Sequence, residues 1–126
     1  MLRSILAIIV AVISWFVIAT IANWILRLAL PGYAAVEGTM TFTLTMMICR
    51  LIFLGLMSSL GAGFVCAIIA GGIRLAPIVA AVIMVLLFLP VHYMIWDKFP
   101  VWYHLFFLIT LGPTMLIGAA LKRQAV

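Results

Sequence analysis

A chain of 126 residues that is 70% apolar and 7% charged, with mean hydropathy +1.50, lies far from soluble domains. Those run at roughly 45–50% apolar and 25% charged. At this length much of a globular surface still faces water, and two acids and seven lysines or arginines cannot cover it, so lipid is the solvent. The net charge of +5 is then read as topology and lipid-headgroup contact, not as nucleic-acid binding.

Charged residues divide the chain into uncharged stretches at 4–26, 51–73, 75–96 and 99–121, of 23, 23, 22 and 23 residues. A helix rising 1.5 Å per residue needs about 20 apolar residues to cross a hydrocarbon core of about 30 Å. The runs lack the strict alternation of transmembrane strands, which argues against a barrel. The expectation is an all-α integral membrane protein: a single domain over residues 1–126, with four transmembrane helices near 4–30, 46–71, 76–96 and 100–121. They should form an antiparallel bundle with short turns and one longer outer segment between the first two helices.

The first run follows Arg3, exceeds 20 residues and reaches Asn23 without a small-x-small cleavage site, so it reads as a helix and not as a secretory leader. Pro31-Gly32 ends it. Between there and Met47, Thr39, Thr41, Thr43 and Thr45 alternate with Met40, Phe42, Leu44 and Met46, a period of two. An isolated strand at a membrane surface leaves its backbone unpaired, so an interfacial segment capped by threonine is the better reading.

The second helix carries Gly55, Ser59, Gly63, Ala67 and Gly71 at intervals of four, a small-xxx-small stripe that lets another helix approach closely. That partner is either a helix of the same bundle or another subunit. Cys49 and Cys66 are 17 residues apart on this helix, about 25 Å along its axis, too far for a disulfide. Gly71-Gly72 and Pro77 frame a tight turn around Arg74, and 97–100 makes an equally tight turn before the fourth helix. Trp24, Tyr33, Tyr93, Trp96, Trp102 and Tyr103 fall near one boundary as an aromatic belt. Trp15, near mid-membrane, requires a partner for its indole N–H inside the bundle.

With four spans, Arg3, Arg74, Lys122 and Arg123 share one side, while Arg27, Glu37, Arg50, Asp97 and Lys98 lie near the other. The purely basic side is the cytoplasmic one by the positive-inside rule, which puts both termini in the cytoplasm of a bacterial inner membrane. The outer side then gathers Asn23, Arg27, Glu37, Arg50, His92, Asp97 and His104, the candidate binding cluster. Arg50, near the start of the second span, reads as a snorkelled interfacial arginine, as one paired with Asp97 or Glu37, or as a binding residue for an anionic headgroup or small anion. His92 and His104 flank one turn at similar depth. They are ordinary hydrogen-bonding interfacial histidines with no cofactor or, as the alternative, candidate metal ligands, for haem or, with nearby Met46, Met47, Met94 and Cys49, for copper.

No G-x-S-x-G, H-E-x-x-H, phosphate-cradling loop or usable carboxylate pair is present, so an enzyme is not the favoured reading. Three functions remain in view. The first is a non-enzymatic accessory subunit that self-associates or binds a larger membrane partner through helix faces. The second is a small dimeric transporter or channel. In length and span count the chain resembles small multidrug-resistance exporters, but its first helix has no acid to match the coupling glutamate of that family. The third is a haem- or metal-binding membrane protein using His92 and His104.

Overall fold

The structure, a computed structural model, describes residues 1–39 and 41–125, with side chains up to Lys122. Met40 of the threonine-alternating segment and the Arg123 side chain lie outside the described residues. The described residues are all helix, turn or irregular, and four helices are long and apolar enough to cross a membrane: Leu2–Ala29, Leu44–Ala70, Leu75–Met94 and Val101–Lys122. Helices are what an apolar run forms in lipid, because each satisfies its own backbone hydrogen bonds within the segment.

The first span is α1 (Leu2–Ala29), and a short helix α2 (Tyr33–Glu37) follows the Pro31-Gly32 turn, where Gly32 takes φ 79°. Residues 41–43 form no strand, and Thr43 starts the next helix by accepting a 3.3 Å hydrogen bond from the Met46 N–H. That second span has three parts: α3 (Leu44–Cys49), a π-helical segment (Arg50–Leu56) and α4 (Met57–Ala70). It is continuous, not a half-helix broken in mid-membrane. The third and fourth spans are α5 (Leu75–Met94) and α6 (Val101–Ala125), joined through a 3₁₀ turn at Trp96–Lys98.

Helix α4 sits at the centre, with its broadest contacts to α1 and α6. Gly63 and Gly118 explain how close it comes to α6. A Cβ built on Gly63 would lie 1.9 Å from the Met115 carbonyl oxygen, and one on Gly118 would lie 2.1 Å from that of Leu60. The two backbones therefore touch without side chains between them. Each pair of heavy atoms brought to van der Waals distance is worth only about 0.1–0.2 kcal/mol, yet a seam several turns long sums many of them.

Along the stripe noted in the sequence, Gly55, Ser59, Gly63 and Ala67 are buried within this one chain. The facing side of α1 carries its own small residues, Ala7, Ala11 and Ala19, which share a buried stripe with Trp15. The Trp15 indole N–H donates to Ser59 Oγ at 3.0 Å, and the Ser59 hydroxyl donates to the Gly55 carbonyl at 2.6 Å. At the far end of α4, Gly71 turns the chain with φ 65°, and Arg3 lies against it, its guanidinium donating to the Ile69 carbonyl.

Candidate functional site

The described residues hold two polar constellations. The first grows from α1 and α2. Asn23 and Arg27 are four residues apart, hence on one face of α1, and the Pro31-Gly32 turn folds Glu37 back over them. Arg27 donates from Nε and Nη2 to the two Glu37 carboxylate oxygens at 2.6 and 3.0 Å, and the Asn23 amide adds a 2.7 Å bond to Oε2. The Arg27 guanidinium holds the Glu37 carboxyl below the ordinary carboxylate range; burial pulls the other way, and Asn23 reinforces Arg27.

The same network reaches Arg50. Tyr33, fully buried, donates its hydroxyl to Asn23 Oδ1 at 2.7 Å and accepts from Arg50 Nη1 at 2.6 Å. Burial pushes the Tyr33 phenol above its ordinary value, with Arg50 opposing. Arg50 also donates from Nε to the Tyr103 hydroxyl at 3.3 Å and from Nη1 to Asn23 Oδ1 at 3.5 Å, and its guanidinium lies 4.7 Å from the centre of the Phe42 ring. The alternative of an Arg50 pair with Asp97 or Glu37 is therefore corrected. Among the described residues the ion pair is Arg27–Glu37, and Arg50 is held by two phenols, an amide and aromatic faces. The physical reason is reach: Arg27 shares a helix face with Asn23 and lies closer to the α2 turn. Arg50 is left as a partly buried cation without a direct carboxylate, and its Nη2 hydrogens have no partner among the described residues.

The second constellation is the histidine pair. His92 on α5 and His104 on α6 are 4% and 0% exposed, and their Nδ1 atoms stand 2.7 Å apart. His104 Nε2 is 3.2 Å from the Trp96 carbonyl, and its ring stacks on the Trp96 indole at 4.6 Å. A carbonyl can only accept, so His104 carries its proton on Nε2. In the neutral pair His104 Nδ1 is then the acceptor and His92 Nδ1 the donor, which leaves His92 Nε2 with a bare lone pair. These tautomers are assigned from the hydrogen bonds. The 2.7 Å separation is that of a hydrogen bond. No group of three or more His, Cys, Asp or Glu side chains converges among the described residues.

Between the two constellations lies a half-enclosed cavity of about 170 Å³. Arg50, His92 and Tyr103 supply its polar wall, and Trp15, Phe88 and Phe107 its aromatic one. Phe16 and Ala19 on α1, Leu54 on the π segment, Val91 on α5 and Ile95 complete the lining; Phe16 and Val91 are 45% and 43% exposed, which puts part of the rim on the apolar outside of α1 and α5.

Of the seven residues expected in the polar cluster, Asn23, Arg27, Glu37 and Arg50 share one network and His92 and His104 form the other. Asp97 is exposed in the Trp96–Lys98 turn and makes no hydrogen bond or ion pair among the described residues. Tyr33 and Tyr103, assigned to the aromatic belt, turn out to be the direct partners of Arg50. The sequence carried a partial signal: tyrosines near the same boundary as an arginine at a span can supply neutral acceptors when the few acids are engaged elsewhere. No known family model matches this chain, and neither curated proteins nor solved structures gave a match in comparison.

Proposed function

We propose that this chain is a small, non-enzymatic polytopic membrane protein that binds a lipid-phase ligand by an oxygen-bearing acidic head at Arg50. In this reading it is an antiparallel four-helix bundle of a bacterial inner membrane, with both termini cytoplasmic and the site in the outer leaflet. The observation that carries it is Arg50 itself: a cation within a span, without a carboxylate partner among the described residues, whose side chain lines a half-enclosed cavity. Charge inside a membrane is costly, and an oxygen acid brought by a ligand supplies the missing acceptor.

The test is binding of lipophilic acids, decanoate and an alkyl hydroquinone among them, to protein purified in mild detergent. At least one binds, and Arg50→Met weakens it tenfold or more while the protein stays monodisperse with its melting midpoint retained. Binding indifferent to Arg50→Met, or no binding by any acid in the set, overturns the reading.

A second reading, an accessory subunit that self-associates or joins a larger partner, draws support from α1 and no longer from the glycine stripe. The stripe is covered inside the chain, whereas α1 is the least buried of the four spans, with Ile9, Ile13, Val17 and Ile21 all exposed. Native mass spectrometry decides it: a monomer without a partner in mild detergent counts against an accessory role.

A further inference from the structure

We propose that the ligand of this site is a lipid-soluble phenol of the quinol type: a six-carbon ring with one hydroxyl donated to His92 Nε2 and a second ring oxygen accepting from Arg50. This rests on the Arg50 reading above and adds a ligand class and a preference for the reduced ring. It follows from three features that meet in one cavity.

The first is polarity. The Trp96 carbonyl accepts from His104 Nε2–H and His104 Nδ1 accepts from His92 Nδ1–H, so the one free ring nitrogen of His92, a cavity-lining residue, is an acceptor. Arg50, on the same wall, can only donate. A ligand that fits must therefore bring a donor for one end and an acceptor for the other. Simple anions bring acceptors alone and offer His92 Nε2 no donor. A quinone, with two carbonyls, does the same. A quinol brings an O–H.

The second is size and wall chemistry. A dry cavity of about 150 Å³ holds one benzene ring, and this one measures about 170 Å³. Trp15 and Phe88 line it with centroids 4.7 Å apart, Phe107 stands 5.1 Å from Phe88, and such surfaces favour a planar ring by offset or edge contact. The third is access. The exposed rim between Phe16 and Val91 lets an apolar tail leave along the cleft between α1 and α5 into lipid, so neither ring nor tail need pass through water.

The experiment compares an alkyl hydroquinone, its dimethyl ether and the matching quinone, kept anaerobic, on the full chain in mild detergent. Wild type is expected to bind the hydroquinone at least tenfold more tightly than either analogue, as sites built around a hydrogen bond reject partners that lack it. His92→Phe should reduce that ratio to about one, and Ala19→Leu, which fills the cavity without removing a polar group, should weaken all three. The wild-type ratio stands on its own if His92→Phe does not fold. Equal binding of the three ligands, lost in Arg50→Met, overturns the quinol assignment and leaves the Arg50 reading intact. No binding, or binding indifferent to Arg50→Met, overturns both.

Discussion

The seam between α4 and α6 and the polar end around Arg50 use opposite means of holding helices together. At the seam, Gly63 and Gly118 remove side chains so that backbone meets backbone, and nothing there is charged. At the polar end, long side chains from α1, α2, the π segment and α6 bridge a gap that the helices do not close, and a cavity remains between them. Dispersion needs contact and falls off within an ångström, so a seam must be dry and tight. Hydrogen bonds from arginine and tyrosine span several ångströms, so a polar cluster can hold helices apart. The contrast assigns stability to the first region and, on the function proposed above, recognition to the second.

The π-helical segment is where the two regions join. It begins at Arg50 and ends beside Gly55, whose position against Phe107 starts the closely packed run on the second span. A single π turn changes the register of a helix, and such turns are frequent at functional sites. Here the segment lets one span direct Arg50 to Tyr33 and Tyr103 while Ser59 and Gly63 face α1 and α6.

Changes at the seam should have the largest effect on stability. Gly63→Val or Gly118→Val places a branched side chain where even a Cβ falls about 2 Å from a carbonyl oxygen of the neighbouring helix. The expected cost is about 3 kcal/mol, read as an earlier midpoint in a denaturing-detergent titration. A midpoint equal to wild type would show that α6 can move off α4. Next comes Ser59→Ala, which strips the Trp15 indole of its acceptor in the bundle interior; about 1–2 kcal/mol is expected, by the same titration.

Arg50→Met sharpens the contrast from the other side. It removes hydrogen bonds but also a costly buried charge, and the two changes oppose each other. Its stability should stay within about 1 kcal/mol of wild type while ligand binding is lost. A collapse comparable to that of Gly63→Val would make Arg50 a structural residue.

Glu37→Gln should have the smallest effect at neutral pH, because Arg27 is 45% exposed and water screens the pair. Its signature is in the acid limb. The folded chain holds the Glu37 carboxyl below its ordinary range, so its contribution is present at neutral pH and lost as pH falls below about 4, through the lowered value. Melting curves taken down the pH scale should lose that limb in the variant. Identical acid limbs in the two proteins would show that Glu37 makes no linkage contribution.

What the sequence determined alone is whatever depends on composition along the chain. Four uncharged runs of 22 or 23 residues require four helices in lipid, because only a helix satisfies the backbone there without outside partners. Four-residue spacing likewise put the small side chains of α4 on one face, and an indole at mid-membrane required an acceptor inside the bundle. Tertiary structure decided the pairings. Which basic residue meets Glu37 depends on how the Pro31-Gly32 turn folds α2 back onto α1, and whether His92 and His104 touch depends on rotation about two separate helix axes. The sequence carries no periodic signal for either. The same holds for the π turn, a local change of register that sets the direction of Arg50, and for the cavity, which exists only because large aromatic side chains from α1, α5 and α6 meet without filling the space between them.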